Sequence, residues 1–180
     1  MNQKIKFIRQ KLGLSEKEVS SFLNISSYKY SSYEKNDIPL PCEILLLLSK
    51  MYGINISLLI YDFFNEDDLT FELEQLGFTN TINKTEVLKK LRLNLFSNLS
   101  TSSNYHSIRK IKHSFQCAIV SCIKESLRSF NLTQQHLAAS CNLDEIELNY
   151  ILSCKKFITL SELMKITEFL QIPIDYITKY

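Results

Sequence analysis

LSEKEVSSFLNISSYKYSSYEK, residues 14–35, contains two helix starts separated by one short break. Ser15-Glu16-Lys17-Glu18 is a capping-box pattern, in which a serine oxygen accepts an early backbone N–H and a glutamate three residues on reaches back to the serine. Val19, Phe22 and Leu23 follow at helical spacing and predict an inward face. Asn24-Ile25-Ser26 breaks this helix after about two turns, and Ser26 is a natural N-cap for a second helix through Tyr33.

Outward from this pair the same grammar continues. Ile5, Ile8 and Leu12 make one apolar stripe on a preceding helix that Gly13 can end in a left-handed turn. Asn36 to Pro41 reads as a loop, Glu43 to Tyr52 as a strongly apolar helix closed by Gly53, and Ile54 to Ile60 as a short last helix. The set of five then recurs. Residues 4–60 lie over 122–178 at an offset of 118, which pairs Leu14-Ser15 with Leu132-Thr133, Val19 with Leu137, Asn24-Ile25 with Asn142-Leu143, and Leu45 with Leu163. Thr133 and Asp144 are the corresponding caps.

Between the copies, Glu66-Asp67-Asp68 sets negative charge at the start of a helix bearing Leu69, Leu73 and Leu76 and stopped by Gly77. Asn83-Lys84-Thr85-Glu86 caps another, with Leu88, Leu91 and Leu95 along one side. Residues 96–104, FSNLSTSSN, are polar and serine-rich and mark a boundary. Beyond them Ile108, Ile111, Phe115, Ile119, Ile123, Leu127 and Phe130 recur every three or four residues, which predicts one rod of about 24 residues, roughly 36 Å long. The expected organisation is a first domain at 1–62, a helical connector and linker at 63–104, and a second domain at 105–180.

Composition agrees with an all-α chain. At 180 residues there is mass for a core without covalent staples. With 45% apolar residues but only 3 Gly and 3 Pro, the chain is too hydrophobic for disorder and too poor in turn residues for a β-sandwich. No apolar run approaches the roughly 20 residues of a membrane span, and MNQKIKFIRQ lacks a signal-peptide core, so a cytoplasmic protein without membrane contact is expected. Five cysteines with no C-x-x-C pair argue against a disulfide framework and a zinc ribbon, and point to reduced, mostly buried thiols. His113 and Cys117 share a helix face at i, i+4, two ligands where a structural zinc site needs four. No metal, cofactor or catalytic residue is expected, since G-x-x-x-x-G-K-[ST], G-x-S-x-G and H-E-x-x-H are all absent.

The arrangement of residues 4–61 resembles the helix-turn-helix domain of the Cro and phage-repressor (XRE-like) family. The matching residues are I8-R9, L14-S15, V19-S20, L23-N24-I25-S26, Y33-E34-K35-N36, L45 to G53-I54, and L58-L59. LTQQHLA at 132–138 and FLQIPIDYI at 169–177 carry the likeness into the second copy. The resemblance implies two tandem five-helix, lambda-repressor-like domains joined by a helical connector. It further implies a sequence-specific regulator of transcription, most simply a repressor, bound to double-stranded DNA and associated with the nucleoid when so bound. In that family the third helix lies in the major groove, where all four base-pair orientations differ. Here Ser27, Tyr28, Lys29 and Ser32 would face bases, Tyr30 and Tyr33 would face inward, and Ser15, Ser26, Lys35 and Arg9 would meet phosphates. Glu16 departs from the pattern, because a carboxylate facing phosphate repels it unless turned aside. Lys6, Lys11 and Lys17 read equally as phosphate contacts or as a solvated face.

Charge is uneven. Residues 1–62 sum to +2, 63–83 to −5, 84–113 to +6 and 114–180 to −1, so the middle is the most basic block. The second copy places Glu145 and Glu147 where the first has Ser27 and Lys29, at a cost of about 1 kcal/mol for each close approach to phosphate. Asp144 and Glu147 also spell a capping box, so two roles stand for that acid. Ile146, in place of Tyr28, predicts an apolar face for another protein or for self-association. A homodimer reading an inverted repeat is expected, with Leu88, Leu91, Leu95 and the long helix either as its contact surface or as an intramolecular core. The rival class is a protein-binding regulator: an antitoxin, an antirepressor or an inhibitor of a defence nuclease, keeping an autoregulatory head.

Overall fold

The computed structural model describes residues 2–79, 81–97 and 104–177, all helices, turns and loops with no strand among them. It divides into two units, residues 1–40 with 44–109 and residues 110–180 with 41–43.

In the first unit, α1 (Asn2–Lys11), α2 (Glu16–Leu23), α3 (Ser27–Glu34), α4 (Cys42–Tyr52, in this unit from Ile44 on) and α5 (Ile56–Ile60) follow the predicted order. Ile5 and Ile8 from α1, Val19 and Leu23 from α2, Tyr30 and Tyr33 from α3, and Leu45, Leu48, Met51 and Tyr52 from α4 are all buried. The punctuation works as the residue types dictate. Gly13, Asn24, Asn36 and Gly53 take positive φ, which only Gly, and less readily Asn, adopts without a steric penalty.

The expected connector is part of this unit. In α6 (Glu66–Gln75), Asn65 and Asp68 form a full capping box, and Leu69 and Leu73 are buried. In α7 (Lys84–Phe96), the Asn83 side chain accepts from Glu86 N–H. Its inward stripe is Val87, Leu91 and Leu95, leaving Leu88 half-buried at the edge. Asn94 donates to the Met51 carbonyl at 3.1 Å, and the Lys90 ammonium donates to the Leu76 carbonyl while lying over the Phe78 ring. Leu91 and Leu95 therefore belong to the core of their own chain and are unavailable as a dimer surface.

The long rod exists as α8 (Asn104–Ser129), 26 residues, and the division between the units falls inside it, after Arg109 rather than in the linker. The expected linker residues 98–103 lie outside the described residues. Ile108, Ile111 and Phe115 are buried within the chain, so this stripe is core as well. The second unit continues with α9 (Gln134–Ser140), α10 (Glu145–Leu152), α11 (Leu160–Leu170) and α12 (Ile174–Ile177) around Ile119, Ile123, Leu127, Leu137, Leu148, Ile151, Leu163 and Ile166.

A shift of 118 residues carries α3 onto α10 and α4 onto α11 with identical ends, and carries the end of α1 onto the end of α8. It also carries the four left-handed residues of the first copy onto Asn131, Asn142, Cys154 and Gln171. The repeat is thus a repeat of backbone geometry. Among the described residues, no helix is long and apolar enough to cross a membrane, and no group of three or more His, Cys, Asp or Glu is arranged to hold a metal ion.

Candidate nucleic-acid interface

The α2–α3 pair is set by its caps. Ser15 Oγ accepts from Glu18 N–H at 3.2 Å and donates to Glu18 Oε2 at 2.7 Å, while Ser15 N–H donates to the same carboxylate at 2.8 Å. Those hydrogen bonds, with Lys84 Nζ 2.9 Å away, hold the Glu18 carboxyl down to about 2. The Ser15 hydroxyl is accordingly engaged, and a negative charge sits beside it. At the turn, Ile25 N–H donates to the Ser20 carbonyl and Asn24 is left-handed. Ser26 Oγ then accepts from Lys29 N–H at 3.2 Å, opening α3.

α2 packs on α3, and α1 on α3. Tyr30 and Tyr33 are 0% and 1% exposed, as inward-facing residues must be, and burial pushes the Tyr30 phenol far up. Ser32 is buried too, at 7%, because it shares this inner side; it cannot face bases, which corrects its expected role. Arg9 needs the same correction. Its Nε and Nη2 each donate to Glu34 carboxylate oxygens at 2.7 Å, and its Nη1 donates to the Leu14 carbonyl at 2.9 Å. This bidentate pair, with the Glu34 side chain only 2% exposed, raises the Arg9 pKa and uses the guanidinium to bind α1 to α3 rather than to meet phosphate.

What remains outward is compact. Tyr28 is 83% exposed, and Lys29, Ser26 and Lys35 are exposed around it. Ser27 is half-buried, its hydroxyl 3.1 Å from that of Ser20, at the α2 edge of this face. Glu16 is turned aside, its Oε1 accepting from Ser31 Oγ at 3.4 Å and lying 4.0 Å from Arg9. Lys6, Lys11 and Lys17 are exposed, whereas Lys4 donates to the Leu58 and Tyr61 carbonyls. Between α2 and α7 an open groove of about 290 Å³ is lined by Lys17, Glu18, Ser21, Phe22, Leu88 and Arg92.

The equivalent face of α10 differs in kind. Ile146 is 66% exposed and Tyr150 47%, and Glu145 and Glu147 on either side of Ile146 in the chain are exposed as well. Asp144 Oδ1 accepts from Glu147 N–H at 2.8 Å. The Glu147 carboxylate turns to Lys156, 3.0 Å away, which also reaches Glu162 at 3.3 Å. Hydrogen bonding to Glu147 raises the Lys156 pKa.

Two contacts that position the outward faces escape sequence patterns. The Arg9–Glu34 pair joins residues 25 apart, and the only hint is a charged residue inside each apolar stripe. Gln116, 3% exposed, donates to the Ile151 and Lys156 carbonyls and accepts from Ile158 N–H, fixing the loop after α10; one polar residue beside Phe115 gave no such signal. No family model matches the chain, and neither do any of the curated proteins or solved structures searched.

Proposed function

We propose that residues 1–62 form an XRE-like helix-turn-helix domain that reads double-stranded DNA, and that the chain regulates transcription, most simply as a repressor. The observation that carries this reading is the division of α3 into two sides. Tyr30, Tyr33 and Glu34 are buried while Tyr28 and Lys29 project outward, so a stiff eight-residue helix offers a hydroxyl, an aromatic face and an ammonium to a groove. Tyr28 and Lys29 read base edges, with Ser27 at the margin. Ser26 and Lys35 position the backbone, whereas Ser15, engaged by the Glu18 carboxylate, is withdrawn from its expected phosphate contact. One such domain has a small footprint, so two copies of the chain read half-sites about 34 Å apart in an inverted repeat.

A second reading is favoured by α10. An exposed isoleucine and tyrosine bordered by two carboxylates suit a protein surface and oppose phosphate, so the second copy serves self-association or a protein partner. The two readings combine as an autoregulatory head with a partner-binding tail.

Footprinting on the DNA upstream of the chain's own reading frame tests the first. A protected inverted repeat is expected, lost when Tyr28→Ala and Lys29→Ala are combined and kept when Glu145→Gln and Glu147→Gln are combined. Retention of random duplexes as firm as that of the native site, with a steep salt dependence, would sink it.

A further inference from the structure

In the second unit, Cys117 on α8 and Cys154 in the turn after α10 bring their sulfurs to 3.9 Å, and His113 Nε2 lies 3.5 Å from Cys117 Sγ. The other three cysteines are buried, in line with the expectation of mostly buried thiols, whereas Cys117 is exposed and Cys154 partly so. The sulfurs stand about 2 Å beyond bonding distance, and each sits on a single rotatable bond at the surface. The three side chains do not form a metal centre.

We propose that His113, Cys117 and Cys154 form a dithiol site that reacts with hydroperoxides to close a Cys117–Cys154 disulfide within one chain. His113 Nε2 takes the Cys117 proton, and the thiolate attacks one oxygen of the peroxide. The O–O bond breaks, an S–O bond forms, and the leaving alkoxide or hydroxide collects the proton from His113 as an alcohol or water. Cys154 then attacks the sulfenic sulfur; the S–O bond breaks, the S–S bond forms, and the departing hydroxide leaves as water with the Cys154 proton. The two thiols lose two electrons, and the peroxide gains them. Burial, then the neighbouring Cys117 sulfur, pushes the Cys154 thiol up, which makes it the poorer first nucleophile toward peroxide. Because Cys154 is already beside Cys117, that second step is intramolecular and outruns further oxidation. The bond would tie the turn after α10 to α8, freezing one end of the Ile146-bearing helix.

The test treats the full chain with limiting hydrogen peroxide, caps the remaining thiols and maps peptides without reduction. Two of the five thiols should vanish and one cross-link, between the peptides holding Cys117 and Cys154, should appear in a protein that stays single-chain on a non-reducing gel. Cross-links between chains, bonds to Cys122 or Cys141, or a Cys117 sulfinic acid beside a free Cys154 overturn the proposal. Cys154→Gly suits the left-handed φ of 58° there and should trap Cys117 as a sulfenic acid, with about tenfold more capture by a dimedone probe. Cys154→Ser serves as a second such variant, and unchanged capture in both removes Cys154 from the site. His113→Gln should slow closure about tenfold without changing its product. An unchanged rate removes His113.

Discussion

Arg9 and Glu34 in the first copy correspond, at the 118-residue offset, to Leu127 and Leu152 in the second. At one pair of positions the first copy joins its first and third helices with a buried bidentate ion pair; the second places two leucines there, 5% and 2% exposed. The same backbone accepts either solution. A buried ion pair recovers its desolvation only through good geometry, while an apolar pair needs only volume, so stability alone does not select the charged version. Its distinctive effect is directional. Two parallel hydrogen bonds fix the rotation of α3 about its axis, and in the proposed reading that rotation aims Tyr28 and Lys29.

Breaking the comparison from the charged side has the largest expected effect. Arg9→Ala strands a carboxylate in the core and should lower the unfolding free energy by about 3–5 kcal/mol in urea titrations. The double substitution Arg9→Leu with Glu34→Leu imitates the second copy and should recover most of that loss. A double variant as unstable as the single one would show that the two copies are not equivalent at this position.

In the second copy the order that an ion pair gives to the first is supplied by Gln116, which spans two carbonyls and an N–H. Gln116→Ala leaves these buried groups unpaired and should cost about 2–3 kcal/mol, together with faster amide exchange at Ile158. Exchange as slow as in the parent chain would refute the assigned role.

A smaller effect sharpens the contrast between the caps. Ser15 and Glu18 form a complete box, whereas the matching Thr133 accepts only from His136 N–H, with no acid to reach back. The Glu18 carboxyl, held near 2, lies below its ordinary unfolded value, so its stabilisation is present above about pH 4.5 and fades as pH falls through 2. Glu18→Gln should therefore cost about 1 kcal/mol at pH 7, discounted for solvent around the box, and almost nothing at pH 2. A difference independent of pH would contradict this account.

Much of the architecture is legible in the sequence because it is written locally. Caps, left-handed Asn and Gly, and apolar spacing place helix ends, and the 118-residue overlay anticipates α3 and α10, and α4 and α11, as pairs with the same boundaries. What escapes is whatever depends on which neighbour lies opposite. Arg9 reads as a phosphate ligand until Glu34 arrives beside it, and Ser32 reads as a groove contact until its side of α3 is covered. Leu91 and Leu95 offer the same apolar surface to another chain or to their own, and only packing against the first unit decides. The stripe on α7 also turns by one position, Val87 taking the inner place given to Leu88, because helix rotation follows from the partner surface rather than from spacing. A resemblance to a family likewise supplies roles but not orientations, as the buried Ser32 illustrates.

The coincidence of α3 with α10, flanked in both copies by left-handed residues at equivalent positions before and after, makes this segment a cassette with standard ends. Residues 144–153 match 26–35 turn for turn, but in an exchange Leu152 would sit opposite Arg9, leaving the guanidinium without its bidentate partner and only Glu16, 4.0 Å away, as a carboxylate neighbour. A chimera therefore has to move Leu127 as well, so the smallest exchangeable part of this protein is a helix together with one residue from a helix it touches.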